Sequence, residues 1–406
     1  MQDQRPAYLP GYPILLVYIL FFMWGFVWNL FNVLAVFFKE TFDLSHTETS
    51  LGTSLSFLAF FLMSYPAKII ISKVGTQKSI SLGSLISACG LLIFIPASFV
   101  KSYQVYLIGL FVLFSGITIL QTICNPYIGE LGHVKTRAAR INLAQGIGAI
   151  GAALTAPFGG WFILQVFSDN IFGGIKLFYL IIAGLFIILA ILVKSANMPA
   201  NPSEIQYQEI NSLNKIGAFQ YIHFVVGFFI MFIYMGAEAI LYQQMTPYFK
   251  EIGGTTTAEA VKFSAFIFYG LMIGRLLGAS AMIKFKPSMI LALFAMIAAF
   301  LVITSMITGG KIGIYAIKSV GFFISIMFAS IFSLATTGLG KHTNQASALL
   351  VMGISGGFFV PLLFGIVADS FSLRTSLIVV VIPLILTSLY GFTFRFLLNW
   401  KKVSHM

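Results

Sequence analysis

Charged residues are scarce in this chain. Asp, Glu, Lys and Arg make up 9% of its 406 residues, whereas 59% are hydrophobic and the mean hydropathy is +0.96. A soluble fold has no use for so much apolar surface, because its outside must be wetted by water. The shortage of charge therefore excludes a water-soluble domain and indicates a membrane protein.

Metal-binding and redox residues are scarce as well. Cys89 and Cys124 are the only cysteines, and both lie in apolar runs, so we interpret them as packing residues. The five histidines and twelve acids form no cluster that would hold a metal at a membrane face, which disfavours a membrane enzyme acting on lipids. The N-terminus lacks a signal-peptide cleavage site, so the first apolar segment is predicted to be retained.

Long apolar runs fill the chain instead, each near the ~20 residues that cross a bilayer as a helix. The runs do not alternate in polarity, so they are typical of helices and not of barrel strands. Twelve spans are predicted, at 13–38, 49–72, 79–98, 104–130, 140–166, 175–197, 219–248, 258–283, 288–308, 312–336, 343–370 and 373–398.

One hydrophilic segment interrupts the series. The stretch 198–215 is polar and separates a first bundle over residues 1–197 from a second bundle over residues 216–406. The predicted fold class is an all-α integral membrane protein with two six-helix bundles. The loops after spans 2 and 8, SKVGTQK and IKFKPSM, are both short and basic, which is typical of a secondary transporter built of repeats.

Positive charge is concentrated in alternate loops, and the formal net charge is +12. The positive-inside rule then places both termini and the linker in the cytoplasm, with the chain crossing the cytoplasmic (inner) membrane many times. This bias accounts for the basic balance without a nucleic-acid partner, and the lipid bilayer is the predicted surrounding.

Amide side chains recur inside the spans at a spacing of three or four residues, which places each pair on one helix face. The pairs are Asn29 with Asn32 in span 1, Gln121 with Asn125 in span 4, and Asn142 with Gln145 in span 5. One pair alone fits structural hydrogen bonding as well as ligand contact. Three pairs favour a site for a hydroxyl-rich neutral ligand, because an amide both donates and accepts. Aromatic residues such as Trp28, and Tyr242 beside Gln243, fit the C–H face of a sugar ring.

Two ionisable residues lie well inside predicted spans. Glu238 of span 7 is an isolated intramembrane acid, which is typical of a proton or ion site. Lys318 of span 10 either pairs with Glu238 or extends to the outer membrane surface.

A set of motifs, in chain order, resembles a known family. The motifs are FFMWGFVWNLFNVL in span 1, NPYIGELG and RINLAQ at spans 4 and 5, YMGAEAILYQQ in span 7, YGLMIGRLLG in span 8 and GGFFVPLLFGIVAD in span 11. Together they resemble the fucose–galactose–glucose:proton symporter family of the major facilitator superfamily. The resemblance implies two bundles that rock around a central site, import of a neutral hexose or deoxyhexose by alternating access, and a functional monomer.

The resemblance also implies roles for individual residues. The family has a sugar-contacting Asp at the position of Asn32 and a proton-carrying Glu at the position of Gln121, and both are amides here. The substrate-binding set that follows is Asn29, Asn32, Gln121, Asn125, Asn142, Gln145, Tyr242 and Gln243. The chain thus keeps the hydrogen-bonding capacity of a sugar site and lacks two of the family's titratable groups.

Three modes of coupling remain open. The protein transports without a coupling ion, or a proton binds Glu238, or sodium binds backbone and amide oxygens together with Glu238. A fourth interpretation is that the two acids have been replaced to trap one conformational state. No cofactor or metal is predicted beyond a coupling proton or sodium ion.

Small and basic residues are predicted to serve the conformational cycle. Glycines of spans 5 and 11 let helices approach closely; they are Gly146, Gly148, Gly151, Gly353, Gly356 and Gly357. Lys73, Arg140 and Arg275 are predicted to anchor a cytoplasmic gate. The main hypothesis is a sugar permease. The alternatives are an exporter of a drug or another small metabolite on the same fold and, less favoured, a membrane enzyme.

Overall fold

The structure, a computed structural model, describes residues 11–44, 46–131, 133–196, 198, 217–254 and 257–400. Within these ranges the side chains at 29, 31–37, 39–40, 46–54, 134, 156–157, 164, 247, 257–258 and 261–262 are not described. The described part contains twelve helices that are long and apolar enough to cross a membrane. The predicted all-α membrane fold is therefore confirmed.

The first six spans precede the central linker. They cover Gly11–Thr41, His46–Val74, Thr76–Val100, Tyr103–Glu130, Arg137–Leu154 and Ile171–Ser195. Span 5 does not end at Leu154 but continues as a π-helix over Thr155–Val166. Mid-span π-helix is a departure from α geometry that hydropathy does not reveal.

The last six spans follow the linker, and three of them are interrupted. Span 7 covers Ile222–Gln243 and is followed by a short helix at Met245–Gly253; spans 8 and 9 cover Thr257–Lys284 and Pro287–Thr308. Span 10 consists of Gly310–Ile324 and Met327–Ala335, span 11 of Thr343–Gly353 and Gly356–Ser370, and span 12 covers Ile378–Asn399.

These interruptions differ from the continuous helices predicted at 219–248, 312–336 and 343–370. In span 7 the cause is in the sequence, because Pro247 has no N–H to donate to the carbonyl of Gln243. In span 11 the break has 3₁₀-type hydrogen bonds, in which an N–H donates to the carbonyl three residues earlier; the Gly357 N–H donates to the Ile354 carbonyl at 3.0 Å. The interruption of span 10 has side-chain partners, described below.

The chain packs into two compact units. One consists of residues 1–132 and 147–211, the other of residues 133–146 and 212–406. Residues 133–146 were predicted to belong to the first bundle, whereas the packing groups them with the second unit. The predicted linker, 198–215, lies outside the described residues apart from residue 198, so its boundaries stay a prediction.

Helix pairing in the second unit repeats that of the first. In the first unit span 3 packs against spans 4 and 6, span 2 against span 4, and span 1 against the π-helical part of span 5. In the second unit span 9 packs against spans 10 and 12, span 8 against span 10, and span 7 against span 11. Every pair recurs six spans later, which is the pattern of an internal structural repeat.

Glycine allows backbone contact at the same helix pair of both units. A Cβ on Gly151 of span 5 would collide with the carbonyl oxygen of Phe22 of span 1. A Cβ on Gly356 of span 11 would collide with the carbonyl oxygen of Phe232 of span 7. Close approach at these two glycines is thus confirmed, and small residues give it, as in other membrane helix pairs.

Gly356→Ala is expected to destabilise the protein by about 1–3 kcal/mol, because the new methyl group would push the backbone of Phe232 away. Gly365 lies in the same span with nothing within 4 Å of a Cβ, so Gly365→Ala is the matched control and should be neutral or slightly stabilising. Thermal unfolding in detergent, followed by size-exclusion chromatography, measures both. Equal unfolding midpoints for the two variants would contradict the assigned contact.

Candidate functional site

A buried ion pair lies inside the second unit. Glu238 of span 7 is 3% exposed and is the only buried acid among the side chains that the structure describes. The Nη2 atom of Arg275 in span 8 lies 3.8 Å from Glu238 Oε1. The Tyr242 hydroxyl, one helical turn further along span 7, donates to the same oxygen at 2.5 Å. The carboxylate is therefore held by a cation and a phenol at once.

The guanidinium of Arg275 also reaches two backbone oxygens. Its Nε donates to the Ser325 carbonyl at 3.1 Å, and its Nη1 donates to the Gln145 carbonyl at 3.3 Å. Ser325 stands at the interruption of span 10, and carbonyls at a helix end are open to side-chain donors. Oxygens from spans 5, 7 and 10 thus surround a single guanidinium from span 8.

The preceding carbonyl at the same interruption has its own donor. The buried Tyr234 hydroxyl of span 7 donates to the Ile324 carbonyl at 2.9 Å. Tyr234 also lies beside the carboxylate of Glu238. Side chains of spans 7 and 8 therefore cap both carbonyls where span 10 is broken, which compensates the backbone for the missing helical bonds.

Glycine positions Arg275 for these contacts. A Cβ on Gly274 would lie 2.5 Å from the carbonyl oxygen of Phe322, so spans 8 and 10 touch backbone to backbone at this level. In YGLMIGRLLG the arginine follows directly after this glycine. Its side chain therefore starts at the helix interface and reaches both Ser325 and Glu238.

The amides of span 5 lie in the same unit but have different surroundings. Asn142 is 0% exposed, and its Nδ2 donates to the Ala138 carbonyl at 3.1 Å and to Met282 Sδ at 3.0 Å. Ala138 and Met282 belong to an apolar core cluster. Gln145, by contrast, meets the ionic cluster through its carbonyl. The structure thus joins Gln145, Tyr242 and Glu238, and it places Asn142 against sulfur.

The predicted residues of span 4 are buried in the first unit. Gln121 and Asn125 are 6% and 0% exposed, and the Asn125 Nδ2 donates to the Gln121 carbonyl at 3.0 Å. Both amides therefore face protein and not lipid. Trp28 packs its ring against aromatic residues of spans 2 and 4, with the Phe114 centroid 5.2 Å away.

The other predicted substrate contacts are less buried or lie outside the description. Tyr242 is half-buried and Gln243 is exposed. Asn29 and Asn32 belong to span 1, but their side chains lie outside the described residues, so their roles stay predictions.

The three predicted gate residues have different surroundings. Lys73 is exposed at the end of span 2. Arg140 donates from Nη1 to the His133 carbonyl at 3.0 Å and to Thr136 Oγ1 at 2.6 Å, so it caps the turn before its own helix. Arg275 lies with Glu238 inside the unit.

Sequence reasoning missed Arg137. Its Nη1 and Nη2 donate to the carbonyl and Oγ1 of Thr336 at 3.1 and 3.0 Å, which ties the start of span 5 to the end of span 10. The signal was present but ambiguous, because RAAR offers two arginines three residues apart and nothing in the sequence distinguishes them.

Lys318 has aromatic partners. Its Nζ lies 4.1 Å from the centroid of the Phe266 ring and 4.4 Å from that of Phe263. Cation–π attraction to these rings stabilises the ammonium inside an apolar span. Lys318 does not pair with Glu238, which was one of the two predicted arrangements. Arg275 is the cation that lies beside Glu238.

Similarity to known proteins extends over most of the chain. Residues 17–360 match the family model described as Major Facilitator Superfamily. The chain belongs to the major facilitator superfamily. This major facilitator is 33% identical over 389 residues to a glucose/galactose transporter of Brucella abortus, covering 94% of this chain and 93% of that protein.

A second relative has a solved structure. The chain is 28% identical over 383 residues to the L-fucose-proton symporter of Escherichia coli, covering 88% of this chain and 87% of that protein. The crystal structure of that symporter in the outward conformation gives a TM-score of 0.85 and covers 97% of this chain and 99% of its own. These relatives confirm the resemblance to the fucose–galactose–glucose:proton symporter family and the prediction of a transporter and not an enzyme.

Tyr234→Phe is expected to lower the free energy of unfolding by about 1–3 kcal/mol, because the Ile324 carbonyl loses its donor in a buried setting. The exposed Tyr315 provides the control substitution, Tyr315→Phe. Thermal unfolding of both variants in the same detergent tests the assignment. A Tyr234→Phe midpoint no lower than that of the control would contradict it.

Proposed function

We propose that this major facilitator is a sugar permease, which imports a neutral hexose or deoxyhexose through the cytoplasmic membrane by alternating access. The observation that carries the proposal is the full-length similarity to a glucose/galactose transporter at 33% identity. Similarity to an L-fucose-proton symporter over most of the chain points to the same class of substrate.

The buried amides supply suitable chemistry. Gln121 and Asn125 are enclosed by protein, and each amide offers both donors and acceptors. A sugar hydroxyl also donates and accepts, so uncharged amides match it without the cost of burying a charge. We expect Gln121 to hydrogen-bond the sugar, together with Asn125 from the same helix face.

The arrangement in the membrane forms part of the proposal. Both termini and the central linker lie in the cytoplasm, a placement that the excess of Lys and Arg in alternate loops supports. One chain contains two repeated units, so a monomer holds a whole transport pathway.

Uptake of labelled hexoses into proteoliposomes tests the substrate class. Purified protein should take up at least one of glucose, galactose or L-fucose in a saturable manner, and the unlabelled sugar should compete. Uptake no faster than that of protein-free vesicles, for every sugar tested, would contradict the proposal.

Gln121→Leu is expected to slow uptake by about tenfold or more, because a leucine leaves a sugar hydroxyl without its hydrogen-bond partner. Gln104 lies exposed near the other end of the same span, so Gln104→Leu is the matched control and should transport like wild type. Initial rates are compared at equal amounts of reconstituted protein. Equal rates for the two variants would remove Gln121 from the proposed site.

Fusions of green fluorescent protein or alkaline phosphatase to the C-terminus, expressed in bacteria, test the orientation. A cytoplasmic terminus should give a fluorescent and phosphatase-inactive cell, because the former folds in the cytoplasm and the latter only outside it. The reverse pair of results would invert the topology.

A further inference from the structure

The Arg275 guanidinium occupies a position that has the chemistry of a cation site. It lies 3.8 Å from the Glu238 carboxylate, 3.1 Å from the Ser325 carbonyl oxygen and 3.3 Å from the Gln145 carbonyl oxygen. Coupling ions in membrane transporters bind to such oxygens, namely an intramembrane carboxylate and carbonyls freed where a helix is interrupted. Here the oxygens already have a positive partner, and it is part of the chain.

This partner differs from a proton or a sodium ion in one respect. A guanidinium cannot be deprotonated in a protein, and it is attached covalently to span 8, so it cannot dissociate into solvent as a bound ion does. An ionised Glu238 paired with Arg275 carries no net charge. The carboxylate therefore has no need of a second cation in the arrangement that the structure shows.

The other groups around Glu238 do not change this balance. Tyr234 and Tyr242 of the same helix are neutral phenols that face the carboxylate. Span 10 contributes the carbonyls of Ile324 and Ser325. Its Lys318 is held by aromatic rings. From the described parts of spans 11 and 12, no charged group pairs with Glu238.

We propose that Arg275 is the built-in counter-cation of Glu238, so that this carboxylate binds neither a proton nor sodium and the protein equilibrates its sugar without ion coupling. This inference rests on the proposed sugar transport. Arg275 is a positioning residue in this account, because it acts through Glu238 and the interrupted span 10 and does not touch the sugar.

Proteoliposome transport provides the first test. The labelled hexose that wild type takes up fastest is measured with no gradient, with an inward proton gradient and with an inward sodium gradient. Wild type should bring the inside concentration to the outside concentration, and no further, in all three conditions. Accumulation above equilibrium that requires either gradient would overturn the inference and leave the proposed sugar transport standing. Absence of uptake under every condition would instead contradict the proposed function.

Substitutions separate a counter-cation from a merely structural arginine. Arg275→Gln leaves Glu238 without its cation, so the carboxylate has to bind a proton, and uptake should become faster in acidic than in neutral buffer by about fivefold or more. Arg275→Lys keeps the charge and should stay independent of pH. The double variant Glu238→Gln/Arg275→Gln removes both charges and should again be independent of pH. Lys318→Gln, which removes an intramembrane cation that does not contact Glu238, is the matched control and should behave like wild type.

Infrared difference spectroscopy tests the same point without any sugar. Between neutral and acidic buffer, detergent-solubilised Arg275→Gln should gain the C=O stretching band of a protonated carboxylic acid. The double variant should lack this band, which assigns it to Glu238, and wild type should lack it as well. The same band in wild type, absent from Glu238→Gln, would show that Glu238 takes up a proton despite Arg275 and would overturn the inference.

Discussion

A backbone carbonyl inside a membrane has no water to bond with, and the second unit depends on how that constraint is met. Span 10 is broken at Ser325–Ile326, and donors from neighbouring helices satisfy the carbonyls at the break. Tyr234 serves one carbonyl and Arg275 the other. The same Arg275 side chain also lies beside the Glu238 carboxylate. Backbone capping and charge neutralisation are thus performed by one side chain.

Close contact between helices allows the one Arg275 side chain to reach both the Ser325 carbonyl and Glu238. The guanidinium spans the gap between three helices because Gly274 brings spans 8 and 10 into backbone contact. The first unit uses the same device, with Gly151 against span 1 where the second unit has Gly356 against span 7. The glycine contacts and the helix pairs that recur in both units are typical of an internal structural repeat.

The twelve spans could be predicted because the bilayer dictates helix length and polarity directly in the sequence. A helix interruption could be predicted only where a residue disfavours a helix, as Pro247 does. The breaks at Ser325–Ile326 and Ile354–Ser355 contain no proline and depend on tertiary donors or tight packing. Glu238 stood out as an isolated acid, but its partner did not. Pairing between helices depends on their relative rotation, which no periodicity encodes, so the sequence offered Lys318 as the partner of Glu238 and placed Arg275 at a gate, whereas the packing pairs Arg275 with Glu238.

The neutrality of the Glu238–Arg275 pair has a consequence for membrane voltage. Moving one elementary charge through the membrane field is worth about 2.3 kcal/mol per 100 mV, so a site that carried a bare charge would feel the potential at each turn of the cycle. A pair without net charge, in a carrier whose substrate is also uncharged, feels almost none of it. If transport is uncoupled, as proposed above, the carrier is electrically silent, and the direction of flux follows the chemical gradient of the substrate alone. The cell then controls entry by consuming what arrives and not by energising its membrane.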